Sequence, residues 1–259
     1  MPEETVTYRR EGRIAYITLN RPEARNAVTV PMAAELAAVL NRFDFDDEAW
    51  VAILSGNGPH FCVGIDVKER FIQHGRAERD ARMSAGPPTD GHMGKTANWK
   101  PVIGAVHGLA VGLGFNLALE CDLLVAAEDA RFMIAETKRG IAGGQLWAKL
   151  QTFMPSKITT ELLLTGDPMP AEPLYRLGLI NRLVPAGEHV AAAKQLAETV
   201  LKNPPLPVRA HVRISRLPWK QLSDDAALYI QPLRLHFTQD FDEAASAFAE
   251  KRQGVYKAR

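Results

Sequence analysis

Residues 102–127 read VIGAVHGLAVGLGFNLALECDLLVAA, and this stretch decides the fold. Val102–Val106 and Leu123–Ala127 are short, continuous apolar runs, typical of strands buried on both faces of a sheet. Between them, a glycine-rich turn leads into Leu113–Glu120, which we predict to be a helix. Buried strands that alternate with helices indicate an α/β layered fold.

The same stretch has the composition of a membrane span at first sight, because Val102–Leu119 is mostly apolar and Gly104, Gly108 and Gly112 are spaced four residues apart. A span needs about 20 predominantly apolar residues. His107 and Asn116 interrupt this one, and Lys100 and Glu120 bound it. We therefore predict a buried strand that runs into a buried helix, and no membrane segment.

The chain on the N-terminal side of this stretch continues the same pattern. Val6–Tyr8 and Arg13–Leu19 alternate apolar and polar residues around a turn, which predicts a hairpin. Met32–Phe43 has apolar residues at helical spacing, and Val51–Leu54 is another short buried strand. Gly75–Ala97 is rich in glycine and proline and poor in large apolar residues, so we predict a long loop of the kind that serves as a lid or binding loop.

The chain on the C-terminal side adds a short strand, Arg131–Ile134, and is predicted to be helical almost throughout after Pro155. Six stretches have an apolar face at helical spacing: Lys157–Leu164, Pro170–Leu177, Val190–Leu201, Val208–Arg216, Ala226–Leu235 and Phe241–Lys251. We expect a mixed α/β core over residues 1–200 and a separate helical region over residues 201–259.

Composition narrows the class of protein. The 259 residues include 31 Lys and Arg against 30 Asp and Glu, and 46% are hydrophobic, as in an ordinary globular protein. A net charge of +1 argues against a dedicated nucleic-acid binder. Cys62 and Cys121 are too few for a disulfide framework, and the polar N-terminus has no signal peptide. We predict a soluble, cytoplasmic protein.

Two glycine turns are candidates for chemistry. One spans residues 60–68 and passes Gly64, and the other spans residues 106–116 and passes Gly112 and Gly114. Glycine there leaves backbone N–H groups without an intrahelical partner, so they are available to an anion. Two such donors aimed at one oxygen form an oxyanion hole, where each donor contributes about 3–4 kcal/mol. A dinucleotide-binding turn is disfavoured, because Leu117 stands where the third glycine belongs.

Four segments together resemble the enoyl-CoA hydratase/isomerase family, the crotonase superfamily. Asn20–Ala27 is similar to its NRPxxxNA segment, and Phe61–Lys68 to its FxxGxDxK segment. Ala105–Asp122 is similar to its AVxGxxxGxG…CD segment, and Phe248–Arg252 to its FxEKR tail. The four occur in the family's order over nearly the whole chain.

The resemblance implies a spiral of repeated strand–strand–helix turns, with C-terminal helices over residues 201–259 that assemble homotrimers and often homohexamers. It implies an acyl-CoA substrate, as in fatty acid metabolism, with no metal and no cofactor apart from the coenzyme A of the substrate. The oxyanion hole falls on the backbone N–H groups of Ile65 and Leu113. The remaining implied contacts with coenzyme A are at Ala24, Arg25, Gly64, Asp66, Lys68, Gly112 and Lys251.

The acid–base residues depart from the family pattern. The family's hydratases use two glutamates, and the resemblance places the second at Glu136 but finds Asn116 at the first. An amide cannot take up a proton at neutral pH. One carboxyl whose pKa is raised by apolar neighbours suits the removal of a proton from one carbon and its return to another. We therefore expect enoyl-CoA isomerisation first and hydration with one glutamate second.

Further departures leave alternatives open. Gly140–Gly144 is shorter than the family's corresponding turn and has no proline, which indicates a different substrate shape; Trp147 lines that pocket or belongs to the core. His74 and His92, in or beside the predicted loop, are weaker catalytic candidates. The chain could also be a non-catalytic relative that binds CoA, a protein or RNA. Glu136 together with the glycines at positions 64, 112 and 114 favours catalysis, because a scaffold needs none of them.

Overall fold

The computed structural model describes residues 4–69 and 99–258 of the chain, without the side chains of residues 219 and 220. The predicted loop at residues 75–97, and with it His92, lies outside the described residues, and so does His74.

The structure contains nine strands and nine α-helices within the described residues, numbered here in chain order. The strands are β1 Val6–Glu11, β2 Ile14–Leu19, β3 Val51–Gly56, β4 Val102–Val106, β5 Leu109–Val111, β6 Leu123–Ala127, β7 Arg131–Met133, β8 Met169–Pro170 and β9 Arg182–Val184. The helices are α1 Val30–Phe45, α2 Leu113–Glu120, α3 Gly144–Leu150, α4 Ser156–Thr165, α5 Ala171–Arg176, α6 His189–Val200, α7 Pro205–Ser215, α8 Leu217–Ile230 and α9 Gln239–Glu250.

Six strands form the main sheet in the order β1-β2-β3-β4-β6-β9. The predicted hairpin is confirmed, since β1 and β2 pair antiparallel with Val6 opposite Leu19. All later neighbours pair parallel. The parallel strands β3 and β4 are almost wholly buried, which is why their sequences read as continuous apolar runs.

A second sheet of three short strands, β5-β7-β8, lies beside the first. Strand β4 of the main sheet is followed by β5 of the small sheet and then by α2, and β6 is followed in the same way by β7 and later by α3. The repeated strand–strand–helix turn that the resemblance implied is therefore present in this part of the chain.

Two hydrophobic clusters hold the layers together. The larger one fills the space between the main sheet, α1, α2 and the small sheet, with Phe43, Phe61, Phe115 and Phe132 fully buried. The smaller one lies on the opposite face of the main sheet under α6, whose buried side chains are alanines and His189. The site described below lies at the turns that follow the strands.

Most of the predicted helices are confirmed, with two corrections. The region after Pro155 is not helical throughout, because it also contributes the short strands β8 and β9, which pair with β7 and β6. Helix α1 begins at Val30 after a Thr29 cap, with a proline in its first turn as expected. The helix predicted at Ala226–Leu235 is wrong in its bounds, because α8 spans Leu217–Ile230 and gives way to a 3₁₀ turn at Gln231–Leu233. Pro232 causes this, since proline has no N–H to continue an α-helix.

No helix in the described part of the chain is both long enough and apolar enough to cross a lipid bilayer. Residues 102–119, which resembled a span by composition, instead contribute β4, β5 and most of α2. The glycines in this stretch serve close backbone contacts: a Cβ at Gly104 would lie 2.8 Å from the side chain of Leu124 on the neighbouring strand.

Candidate active site

The first of the two glycine turns is tied to the N-terminal part of the chain. Gly64 has φ +95°, a conformation that favours glycine, and its carbonyl accepts from the N–H of Val28 at 2.8 Å. Asp66 N–H returns a bond to the Val28 carbonyl at 2.9 Å. Ile65 lies between these two anchors, and its own N–H donates to no acceptor among the described residues.

The second turn comes from the small sheet. Strand β5 places Val111, whose N–H donates to the Cys62 carbonyl, and Gly112 N–H then donates to the Met133 carbonyl on β7, both at 2.9 Å. Gly112 is the N-cap of α2 with φ +53° and ψ −115°. Leu113 opens the helix, so its N–H has no intrahelical partner, and no other acceptor is found for it in the described ranges.

These two turns lie against each other. A Cβ on Gly64 would lie 2.8 Å from the Val111 carbonyl oxygen and 3.6 Å from the Leu113 amide nitrogen. A Cβ on Gly114 would overlap the Cys62 carbonyl. The absence of side chains at both glycines therefore allows the approach of the turns that carry the N–H groups of Ile65 and Leu113.

Glu136 lies directly beside this pair of turns. It follows β7, the central strand of the small sheet, and begins a 3₁₀ turn, and its backbone carbonyl accepts from the N–H groups of Arg139 and Ile141. A Cβ on Gly112 would lie 2.9 Å from Glu136 Oε1, so the carboxyl fills the space that a side chain at position 112 would take. The sequence prediction placed Glu136 and Gly112 in one site, and they are in contact.

The environment of Glu136 favours the protonated carboxyl. Burial raises its pKa to about 7, against a smaller opposing effect of its own backbone N–H and of the Arg139 charge. Its Oε2 is buried and has no hydrogen-bond partner among the described residues. A carboxyl with a pKa near neutrality is suited to both taking up and returning a proton.

Asn116 has a different setting from the one the sequence indicates. It is buried on α2, where its Nδ2 donates to Glu120 Oε1 at 3.0 Å and its Oδ1 accepts from Lys149 Nζ at 2.7 Å. Lys149 also donates to Glu120 Oε1. The Asn116 amide is thus oriented by a buried ion pair between α2 and α3.

The residues assigned to coenzyme A are spread around the turns. Ala24 ends a 3₁₀ turn, and Arg25 follows it with φ +54° and an exposed side chain. Arg25 is connected to the Gly64 turn through its carbonyl, which accepts from Val63 N–H at 3.2 Å. Asn26 fixes this junction, because its buried Nδ2 donates to the carbonyls of Asn57, His60 and Phe61.

The charged side chains in this set have unequal surroundings. Asp66 forms an ion pair with Arg21 at 3.3 Å and accepts from the N–H of Glu69, so its side chain holds the turn together. Lys68 is exposed beside it. Lys251 is also exposed, with φ +55° at the C-terminal end of α9, and no contact connects it to the two turns within the described part of the chain.

Sequence reasoning missed two charged residues near Glu136 and Asn116. Lys149 had one available signal in its partner Glu120, which is a charged residue at the end of an otherwise apolar helix and therefore needs a counter-ion. Arg139, three residues after Glu136, had none. Trp147 is only partly buried and donates to Thr160 Oγ1 on α4 at 3.3 Å, and it belongs to neither hydrophobic cluster.

Comparison with known proteins agrees with this geometry. The model of the enoyl-CoA hydratase/isomerase family matches residues 9–259. The chain is 37% identical to carnitinyl-CoA dehydratase from Citrobacter koseri, with 99% of each chain covered. It is 34% identical to mevalonyl-coenzyme A hydratase from Aspergillus fumigatus, with 94% of this chain and 91% of that one covered.

Solved structures agree with this family match. A carnitinyl-CoA hydratase from Mycobacterium avium is 33% identical and superposes with a TM-score of 0.83, covering 99% of this chain and 100% of that one. An enoyl-CoA hydratase from Mycobacterium tuberculosis is 35% identical, with a TM-score of 0.71 over the same shares. The predicted spiral α/β fold is thereby confirmed.

Proposed function

Because the chain belongs to the enoyl-CoA hydratase/isomerase family and is an enzyme of that family acting on CoA thioesters, we propose that it catalyses the reversible hydration of an enoyl-CoA through a thioester enolate. The observation that carries this proposal is the position of the Glu136 carboxyl, whose Oε1 is 2.9 Å from where a Cβ of Gly112 would lie. It lies beside the N–H groups of Ile65 and Leu113, which donate to no acceptor among the described residues.

The mechanism is written here in the direction of dehydration. The Glu136 carboxylate takes the proton from the α-carbon of a 3-hydroxyacyl-CoA, and the electron pair of that C–H bond moves toward the thioester oxygen. The N–H groups of Ile65 and Leu113 stabilise the resulting enolate oxygen. The enolate then re-forms the carbonyl and expels the β-hydroxyl, which takes the proton from Glu136 and leaves as water. One carboxyl serves both proton transfers, and hydration is the reverse sequence.

Two observations bear on the choice between hydration and isomerisation. The relatives named above are hydratases and dehydratases, which favours hydration. Asn116, which has no proton-accepting group at neutral pH, favours isomerisation by Glu136 alone and makes it the second candidate. In that reaction the same carboxyl moves a proton from the γ-carbon to the α-carbon and no water is added.

The test uses purified protein with enoyl-CoA and 3-hydroxyacyl-CoA esters in H₂¹⁸O and in D₂O. Hydration predicts a product heavier by one ¹⁸O-labelled water, and isomerisation predicts deuterium uptake without a change in oxygen content. Glu136→Gln is expected to reduce either reaction by more than a hundredfold. The matched control is Glu128→Gln, which changes an exposed glutamate at the end of β6.

Two results would contradict the proposal. If Glu136→Gln retained activity within a few-fold of the wild-type enzyme, Glu136 would not be the base. If the wild-type protein bound CoA esters but neither exchanged nor hydrated any of them, the non-catalytic alternative would take its place.

We also propose that the C-terminal helices form a homotrimer or a dimer of trimers. Large apolar side chains are exposed in this region, which is unusual for a monomer unless a surface associates. They include Leu206, Ile214, Leu217, Leu228 and Tyr229. Light scattering is expected to give a mass of three or six chains, and a monomer at micromolar concentration would refute this.

The remaining contacts carried over from the family are proposed as the coenzyme A site, with Arg25 and Lys68 exposed beside the Gly64 turn as the phosphate contacts. Arg25→Ala and Lys68→Ala are each expected to raise the inhibition constant of free CoA several-fold and to leave kcat almost unchanged. Equal inhibition constants for wild type and both variants would exclude these side chains from the site.

A further inference from the structure

Arg139 lies one short turn beyond the proposed base. Glu136 begins the 3₁₀ turn Thr137–Arg139, and Arg139 is its last residue. Gly140, with φ +71°, then brings the backbone against α9: a Cβ at Gly140 would lie 2.8 Å from the Cα of Phe241. The position of Arg139 relative to Glu136 is therefore fixed by the backbone on both sides.

The guanidinium of Arg139 packs against an aromatic ring and is partly withdrawn from water. Its Cζ lies 3.5 Å from the ring centroid of Phe248, and Tyr256 is close enough to act on its charge. The side chain is only partly exposed. Burial lowers the pKa of the guanidinium, the direction expected for a cation that has lost hydration.

This cation has no counter-ion within ion-pair distance in the described ranges. Two other partly buried arginines do have one: Arg216 contacts Asp122 through two nitrogens, at 2.9 and 2.6 Å, and Arg21 contacts Asp66. Arg139 has no hydrogen bond and no ion pair there. Its charge reaches Glu136 only at longer range, and a carboxyl whose pKa is raised to about 7 is not fully ionised at neutral pH.

A charge removed from water is normally paired, and a guanidinium edge matches a carboxylate with two parallel N–H···O bonds. The Phe248 ring lies on one side of the guanidinium, so an anion would approach Arg139 from another side. The guanidinium is close enough to the Glu136 carboxyl for its charge to act on the pKa of that group, so an anion at Arg139 would lie near the proposed base.

We propose that Arg139 binds a carboxylate carried by the acyl group of the substrate, so that the enzyme prefers short acyl-CoA thioesters of dicarboxylic acids. This inference rests on the proposed function, since it assigns the substrate class of that same site. The coenzyme A phosphates are an alternative anion, which the test below distinguishes.

The test compares two substrates of equal size, a short 2-enoyl-CoA with a terminal carboxylate and the same compound with a terminal primary amide. For the wild-type enzyme kcat/KM is expected to be at least tenfold higher with the carboxylate. Arg139→Met is expected to bring the ratio to about one or lower, and Arg139→Lys to an intermediate value. The matched control is Arg213→Met, since Arg213 also stacks on an aromatic ring, that of Trp99 at 4.7 Å, and should keep the wild-type ratio.

Several outcomes would overturn the inference. One is a wild-type enzyme that prefers the amide or does not discriminate, which is informative even if the variants fail to fold. Another is an equal loss for both substrates in Arg139→Met, which would make Arg139 a structural contact of α9. A third is a higher inhibition constant of free CoA for Arg139→Met with the carboxylate-to-amide ratio of kcat/KM unchanged, which would assign the arginine to a CoA phosphate.

A separate measurement keeps this result distinct from failure of the proposed function. Binding of the saturated carboxylate and amide thioesters to the wild-type protein and to Arg139→Met reports the carboxylate preference without any turnover. If the preference is present but no enoyl-CoA reacts, the proposed reaction is wrong and the carboxylate site stands. If enoyl-CoA reacts without a preference, the carboxylate site is wrong.

Discussion

Replacing Gly112 by alanine tests the arrangement of the base and the oxyanion hole in one step. The new Cβ would lie 2.9 Å from Glu136 Oε1, against the roughly 3.4 Å of an ordinary contact between these atoms, so the carboxyl must move by about 0.5 Å. The substitution also forces alanine into φ +53°, ψ −115°, which costs about 1–3 kcal/mol of stability.

The expected effect on catalysis follows from that displacement. A misplacement of about 1 Å costs about a hundredfold in rate, and a distorted peptide at position 112 also turns the Leu113 N–H away from the oxygen it should stabilise. We expect kcat to fall about 10- to 100-fold, with a smaller change in KM. The added methyl group excludes water from the carboxyl, so the acid limb of the pH–rate profile should also move to higher pH.

The assay is steady-state turnover of the best acyl-CoA substrate as a function of pH, at a temperature below the unfolding midpoint of every variant. Gly12→Ala is the control, because Gly12 has φ +56° but no atom within 4 Å of the new Cβ. Gly12→Ala should lose stability and keep its activity. Activity of Gly112→Ala within threefold of that of Gly12→Ala would refute the reasoning.

Three further predictions concern the base and its surroundings. Glu136 must be ionised to take a proton, so kcat/KM should fall about tenfold per pH unit below pH 7. The folded-state pKa of Glu136 lies above the ordinary 4.5, so the protonated carboxyl contributes stability that is fully present below pH 4.5 and is lost as pH rises through 7. Over that window Glu136→Gln should become more stable than the wild-type protein, measured by urea denaturation. Lys149→Met removes a buried ammonium from Glu120 and should lower the free energy of unfolding by about 3–5 kcal/mol, measured by urea denaturation. Gly144→Ala places a methyl group against Ile230 Cδ1 and should cost about 1–3 kcal/mol by thermal unfolding, which Ile230→Val should largely restore.

Each of these three predictions has a control variant or a result that would contradict it. Flat kcat/KM between pH 5 and 8 would contradict the role given to Glu136. Lys138→Met, which removes the exposed pair with Asp167, should change stability by less than about 1 kcal/mol, and an equal effect at Lys149 would mean that burial adds nothing to that pair. An additive loss in the Gly144→Ala and Ile230→Val double variant would contradict the steric explanation.

The sequence predicts those elements of the fold that carry their own signal. Val51–Leu54 was predicted as a strand, and β3 spans Val51–Gly56, because a strand buried on both faces is a continuous apolar run. Strand β5, Leu109–Val111, was not predicted, since three residues within a glycine turn have no period; its pairing with β7 defines it. Short strands of this kind depend on a distant partner.

The candidate active site is likewise only partly predictable from the sequence. The motifs placed Ile65, Leu113 and Glu136 together, and their roles remain predictions. The surroundings of Asn116 could not be predicted, because Lys149 is 33 residues away and reaches it only through the packing of α3 near α2. That no carboxylate among the described residues lies within ion-pair distance of Arg139 is likewise a property of tertiary packing that local sequence does not encode.

The order of strands in the main sheet has a consequence for how the molecule is made. Strands β1, β2, β3, β4, β6 and β9 lie side by side in the order in which a ribosome would release them. Each new strand of the main sheet therefore finds the edge of the sheet already formed, and domains generally fold from the N-terminus during synthesis. Glu136 emerges only after β7, so five of the six strands of the main sheet would be synthesised before the nascent chain acquires its proposed base.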